Sequence, residues 1–330
     1  MQTVIHSHYG FYNRVRWCLG AMALAAGLAA TPASALVYQD TDAQSAGLGA
    51  GHAFLDGEAA LTVALSTGGH GGCSGSLVGG GAFVLTAAHC LTDDSGKPIA
   101  TSIDILFGNS KLDVTATNYL IDPDWVGTII GGGDLALIKL GTPILSIPSY
   151  QLYTASTAVG NVVTLAGYGD TGVGDTGAEP HTFGTTLQFG QNRYDFNYDD
   201  VPWVYEYDFD KLGDDSFNLT DGSAVGTDEV DIAPGDSGGA ALMLVDGVWQ
   251  IVGVHEFTIC AVDDCDPLSK FGEKAGDTSV FAYRNWLNDE LAGSAPVPEP
   301  TTWALLTIGF MAVCLARRLA RAVGPWTVVG

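Results

Sequence analysis

The chain has 330 residues, with 37 acidic against 13 basic side chains and a net charge of −24. So acidic a surface repels phosphate, which excludes nucleic acid as a partner. With 47% hydrophobic residues the chain can build a sizeable core, and its 44 glycines imply many turns between short elements.

The first 35 residues have the order of an export signal. Arg14 and Arg16 precede an apolar run from Trp17 to Ala30, and Ala33-Ser34-Ala35 supplies small residues for cleavage. Cleavage after Ala35 leaves Leu36 as the mature N-terminus. The stretch before Arg14 is long for such a signal, which also fits a start downstream of Met1.

Short apolar runs broken by glycine and aspartate come next. Ala60–Leu65, Ser76–Val78, Phe83–Ala87, Ile103–Phe107, Leu135–Leu140, Val162–Ala166, Ala240–Val245 and Val248–Val254 read as buried strands. Only Val280–Leu291 carries a helical pattern, with Phe281, Trp286, Leu287 and Leu291 on one side. An all-β domain closed by one C-terminal helix is expected. Gly190 to Asp215 is dense in Tyr, Phe and Asp; it reads as an acidic surface segment, with calcium as an alternative ligand, although no EF-hand spacing is present. No metal or cofactor is otherwise called for.

Cys18 and Cys314 lie in the apolar end segments, leaving Cys73, Cys90, Cys260 and Cys265. Four cysteines in an exported domain imply disulfides with three possible connectivities, of which the local one, Cys73–Cys90 with Cys260–Cys265, is preferred.

At the far end, Gly293-Ser294-Ala295-Pro296-Val297-Pro298-Glu299-Pro300 is a stiff spacer. The apolar run Trp303 to Ala316 follows, then Arg317, Arg318 and Arg321. Counting Thr301 and Thr302, the uncharged stretch reaches sixteen residues, just short of the roughly 17–25 usual for a membrane span. The arginines should stay cytoplasmic. The Val297-Pro298-Glu299-Pro300, apolar run and arginine cluster together resemble the PEP-CTERM sorting signal, which implies an exosortase-type sorting enzyme as a partner. A plain membrane anchor behind a proline linker is the alternative, and both put the globular part outside the cytoplasm. The expected division is residues 1–35 signal, 36–292 globular domain, 293–300 linker, 301–321 short transmembrane sorting or anchor segment, and 322–330 cytoplasmic tail. Residues 36–295 hold 36 acidic and 8 basic side chains, about −28.

The chemistry lies in three stretches: Leu85-Thr86-Ala87-Ala88-His89-Cys90, Asp134-Leu135-Ala136-Leu137 and Gly235-Asp236-Ser237-Gly238-Gly239. A serine hydroxyl is a poor nucleophile unless an imidazole takes its proton and a carboxylate holds that imidazole in the right tautomer. These stretches, with Cys73-Ser74-Gly75-Ser76-Leu77-Val78 ahead and Ser279 to Leu287 behind, resemble the chymotrypsin-like (trypsin family) serine proteases. The resemblance covers about residues 60–290. It implies two six-stranded antiparallel Greek-key β-barrels and a C-terminal helix. It implies His89 as general base, Asp134 as its orienter and Ser237 as nucleophile. The N–H groups of Gly235 and Ser237 become the oxyanion hole, and the Cys73–Cys90 bridge fixes the histidine loop. Gly235-x-Ser237-x-Gly239 also fits the nucleophile elbow of α/β-hydrolases, but there the histidine must follow the serine. His255, with Asp246 between, is the only candidate, and eighteen residues leave no room for the intervening elements.

By matched position Asp231 lies at the base of the primary specificity pocket, implying a preference for Lys or Arg. Its other reading is an ordinary acid in an acid-rich chain. Ala233 replaces a usual cysteine, and Glu256 and Thr258 replace the common serine and glycine on the substrate-pairing strand, Gly253 to Thr258. Asp236 is the expected partner of a freed N-terminal ammonium. No Lys or Arg occurs between Arg16 and Lys97, so signal cleavage before Leu36-Val37, or a cut at a non-basic site, must free it. The expected function is an exported serine endopeptidase acting on protein or peptide substrates. The alternatives are a surface binding module on a protease fold and a purely structural matrix component. The sequon Asn218-Leu219-Thr220 reads as chance.

Overall fold

The computed structural model describes residues 35–46, 52–108, 112–180, 184, 186–198, 201–219, 224–260 and 267–292. The expected signal and sorting segments therefore lie outside the described residues, apart from Ala35. The chain divides into two units, Met1–Leu291 and Ala292–Gly330, and all the described strands belong to the first.

The N-terminal half forms one antiparallel sheet in the order Leu112–Ala116, Ala100–Phe107, Glu58–Leu65, His70–Val78, Phe83–Thr86, Ala136–Lys139, Asn118–Ile121. The two ends of that order, Leu112–Ala116 and Asn118–Ile121, are halves of one strand broken only at Thr117. One half pairs with Ala100–Phe107 and the other with Ala136–Lys139, so the sheet closes on itself as six strands.

The C-terminal half repeats the device in the order Gln188–Arg193, Val162–Gly167, Ala240–Val245, Val248–Ile259, Lys274–Ser279, Val204–Asp208, Phe196–Asn197. Here Gln188–Arg193 and Phe196–Asn197 flank Tyr194 and Asp195, and their pairings close a second six-stranded barrel. The expected pair of barrels is present. Closure leaves no long strand edge open to chance pairing. Helix Arg284–Ala292 buries Leu287.

Most expected strands form within a residue or two of their apolar runs. The acidic segment is different from its expectation as a surface stretch. Val204–Asp208 is buried along its whole length as a barrel strand. Tyr205 and Tyr207 enter the second core, while the Glu206 carboxylate takes the Lys274 ammonium at 2.6 Å and Asp208 Oδ2 accepts the Leu219 N–H. Pairing its acids lets a carboxylate-rich strand be buried.

Leu36–Tyr38 is the third feature that positions the site. It pairs in parallel with Thr171–Val173 and antiparallel with Val230–Asp231. Ala35, Leu36 and Val37 have no exposed surface. The segment expected at the mature N-terminus is thus threaded into the C-terminal half, beside the strand that precedes the Gly235–Gly239 loop.

Candidate active site

Strand pairing delivers the histidine and the aspartate to one place. Phe83–Thr86 runs antiparallel to Ala136–Lys139 with Thr86 opposite Ala136, so residues just after Thr86 meet residues just before Ala136. His89 rides on the short turn Ala88–Cys90, which the Cys73–Cys90 disulfide ties to strand His70–Val78. Asp134 Oδ2 accepts the His89 Nδ1–H at 2.6 Å, and its Oδ1 accepts the His89 backbone N–H at 2.8 Å. Asp134 is fully buried and His89 is 8% exposed. Burial alone would lower the imidazole's proton affinity, but the charge and hydrogen bond of Asp134 outweigh it and hold the His89 pKa above its usual value. A proton fixed at Nδ1 leaves Nε2 as the basic atom.

The serine comes from the other barrel. Ser237 lies in the turn before strand Ala240–Val245, and its carbonyl accepts the Ser74 N–H at 2.8 Å. Cys90 Sγ lies 3.7 Å from the same carbonyl, and Ser74 Oγ donates to the Gly235 carbonyl at 3.0 Å. These contacts hold Ser237 against the residue that follows His89. Gly235 (φ 98°) and Gly238 (φ 83°) give the loop its left-handed turns. A Cβ on Gly238 would overlap Thr86 Oγ1 and the Ser74 carbonyl, so only glycine allows the two barrels to approach there.

Asp236 points inward. Its Oδ1 accepts the Gly169 N–H at 2.8 Å and its Oδ2 the Ala233 N–H at 2.9 Å. A Cβ on Gly167 or Gly169 would overlap that carboxylate. Burial, only partly offset by these two donors, pushes the Asp236 carboxyl up to about 7.

The expected substrate-side residues are interior. Asp231 is fully buried; its Oδ1 accepts the Ile232 N–H at 2.9 Å, and its Oδ2 has no hydrogen-bond partner among the described residues. Burial first, then the nearby Glu273 carboxylate, raises its pKa well above the carboxylate range. Glu256 turns its carboxylate to the Ile130 N–H and the Thr278 hydroxyl, both at 2.8 Å. Thr258 is buried opposite Ala275. Cys260 is in a disulfide, and its expected partner Cys265 lies outside the described residues. Among those residues the only three His, Cys, Asp or Glu groups with ligand atoms mutually within 4.8 Å are Cys73, His89 and Cys90, two of them joined in the disulfide. No three carboxylates of the acidic segment converge in this way among the described residues.

Sequence reasoning overlooked a second buried His–Asp pair. His255 Nδ1 lies 2.8 Å from Asp277 Oδ1, both side chains without exposed surface, and Tyr194 donates to Asp277 Oδ2 at 2.5 Å. His255 bonds the Gly235–Gly239 loop through its backbone, accepting from Gly238 N–H at 2.8 Å and donating to the Gly239 carbonyl at 2.9 Å. The available signal was a histidine next to a glutamate inside a largely apolar strand, Val248–Ile259.

The sequence profile of the trypsin family matches residues 49–287. The chain belongs to the trypsin family. A PEP-CTERM protein-sorting motif matches residues 296–318, which marks an exported protein with a C-terminal sorting signal. Among solved structures, HL collagenase is similar at 20% identity over 72% of this chain and 94% of that one, with a TM-score of 0.49. No helix among the described residues is long and apolar enough to cross a membrane.

Proposed function

We propose that this trypsin-family protein is an exported serine endopeptidase that uses His89, Asp134 and Ser237 as its triad. The observation that carries the reading is the 2.6 Å bond from His89 Nδ1 to the buried Asp134, with the Ser237 loop held against the neighbouring Cys90. Ser237 Oγ attacks the scissile carbonyl while His89 Nε2 takes its proton. The imidazolium, stabilised by Asp134, returns the proton to the leaving amine, and water then cleaves the acyl-enzyme by the same path in reverse roles. The N–H groups of Gly235 and Ser237 receive the oxyanion, an assignment supported by the positive φ at Gly235.

Two finer assignments belong to the same reading. Asp231 selects Lys or Arg at the cleaved bond; its unpartnered, buried Oδ2 supports this, since such a carboxylate ionises favourably only beside a cation. Asp236 pairs with the ammonium freed before Leu36, a role supported by the insertion of Leu36–Tyr38 next to Val230–Asp231. Residues 301–321 insert in the membrane until an exosortase-type enzyme processes the signal, leaving the domain outside the cytoplasm.

One observation favours the binding-module alternative. Phe257, Thr258 and Ile259 are at most 6% exposed, and Ile129, Ile130, Tyr198, Val201 and Trp203 pack around Phe257 and Ile259. A substrate strand covered in this way must open before it pairs with a peptide.

A fluorophosphonate probe on the signal-processed protein, beside S237A, separates the two. Labelling that disappears in S237A supports the triad. A folded, signal-processed protein that stays unlabelled overturns the enzyme reading in favour of the binding module.

A further inference from the structure

We infer that Glu256 is a positioning residue of this active site, a second buried carboxyl that holds the Asp134 loop and, when it ionises, adds negative charge behind His89. The inference rests on the triad proposed above. It starts from a register shift: His255 lies opposite Asp277 and Phe257 opposite Gly276, so Glu256 is an extra residue on strand Val248–Ile259. A bulge of this kind re-aims a side chain, and here it turns Glu256 into the space between the barrels, where it is 3% exposed.

Each carboxylate oxygen has one donor. Oε1 accepts the N–H of Ile130, four residues before Asp134, and Oε2 accepts the Thr278 hydroxyl, both at 2.8 Å. Ile130 has φ 72°, a conformation a β-branched residue adopts only when held there. The loop has two more anchors from the C-terminal barrel and its following turn: Trp203 Nε1 donates to the Ile130 carbonyl at 3.5 Å, and the Tyr283 hydroxyl accepts the Gly133 N–H at 2.7 Å. The orienting acid of one barrel is thus placed by residues of the other.

A neutral glutamine could keep both contacts by accepting the Ile130 N–H with its carbonyl oxygen and donating its amide N–H to the Thr278 hydroxyl. Glu256 adds charge where charge is costly, with Asp134, His89 and Tyr283 as the titratable groups facing it. Burial, then the Asp134 charge, pushes the Glu256 carboxyl up to about 8. Near neutral pH it is therefore mostly protonated. As it ionises, its negative charge favours the imidazolium that forms at His89 as the Ser237 proton is taken, and the chemical step accelerates. A residue that only braces the loop would give no such pH signature.

The test is the second-order rate at which diisopropyl fluorophosphate inactivates the folded, signal-processed protein between pH 6 and 10. In that reaction the Ser237 Oγ–P bond forms, the P–F bond breaks, fluoride leaves and the serine proton passes to His89. Wild type should rise once as His89 loses its proton and again near pH 8. The E256Q-to-wild-type rate ratio should fall about five- to tenfold from pH 6.5 to 9.5, the effect of roughly one pKa unit of coupling. T278V, which removes the Oε2 donor, should move the second rise to higher pH and decides the matter if E256Q does not fold. A ratio independent of pH, or a T278V profile superimposable on wild type, overturns the inference. Failure of wild type itself to react overturns the triad reading instead, so the two failures are distinct.

Discussion

The protein contains two histidine–aspartate pairs of nearly equal geometry, His89–Asp134 at 2.6 Å and His255–Asp277 at 2.8 Å. In both, burial opposes the charged imidazole and the neighbouring carboxylate outweighs it, so both pKa values are raised. What separates them is the far side of each ring. His89 retains some exposure and lies beside the Ser237 loop, whereas His255 is sealed under that loop and its Nε2 has no hydrogen-bond partner among the described residues. A hydrogen-bonded imidazole is thus not by itself a catalytic one; access to a reacting atom decides. The sealed pair works on structure, since a Cβ on Gly239 would touch the His255 ring and the backbone of His255 holds both Gly238 and Gly239.

Neutralising the two aspartates in turn should separate the two pairs. D134N should lower the rate of serine acylation by about 10⁴-fold, because the amide favours the wrong tautomer of His89. Its melting temperature should change far less than its activity. D277N should do the reverse, losing stability first. Paired measurements of labelling rate and thermal midpoint check this, and equal losses of activity in the two variants would erase the distinction.

H255L comes next in size. It leaves Asp277 as an uncompensated buried carboxylate, which typically costs about 3–5 kcal/mol, read as a lowered denaturant midpoint. A neutral or stabilising result would mean that Asp277 is held by Tyr194 and Tyr207 alone. Replacing both Cys73 and Cys90 with serine should cost about 3 kcal/mol, from a bridge spanning 17 residues of sequence. Because that bridge lies on the His89 side only, the double variant should also slow labelling.

The sequence spelled out the His89 region well, because its strands are apolar runs and its disulfide is local. The closing strands of the barrels were harder to see. Residues 112–115 and Asn118–Ile121 alternate between half-buried and exposed positions around the buried Ala116, and Lys274–Ser279 is polar yet largely buried. Val204–Asp208 hides its core residues as tyrosines set between acids, a pattern that reads as surface until Lys274 and the Leu219 N–H are known to neutralise or bond those acids. For Asp277 no local pattern announces a role, and for Glu256 the pattern points to the substrate side rather than to the Asp134 loop. Each acquires its role only through a partner on another strand or loop: His255 for the first and Ile130 for the second.

The interior acids that surround the sealed pair should make stability depend on pH, with a sign that follows from proton linkage. Burial pushes Glu58 up to about 8, Asp236 to about 7 and Asp231 well above the carboxylate range. An unfolded chain gives up those protons near pH 4–4.5, whereas the folded chain keeps them to about pH 7–8. Between these limits the folded state binds more protons, so stability falls as pH rises. His255 acts in the same direction, since a raised histidine pKa stabilises below about 6.5 and loses that contribution as pH passes through the folded value. Each such group contributes a slope of about 1.4 kcal/mol per pH unit inside its window. Urea midpoints at pH 5, 7 and 9 should therefore decline in that order, and E58Q should flatten the decline between 5 and 7 because its amide has no proton to lose. Midpoints that rise from pH 5 to 9 would mean these carboxylates are ionised in the fold and neutralised by a cation. For Asp236 the ammonium of Leu36 is the natural candidate, so the same titration on signal-processed and unprocessed protein would show whether the freed N-terminus reverses the slope.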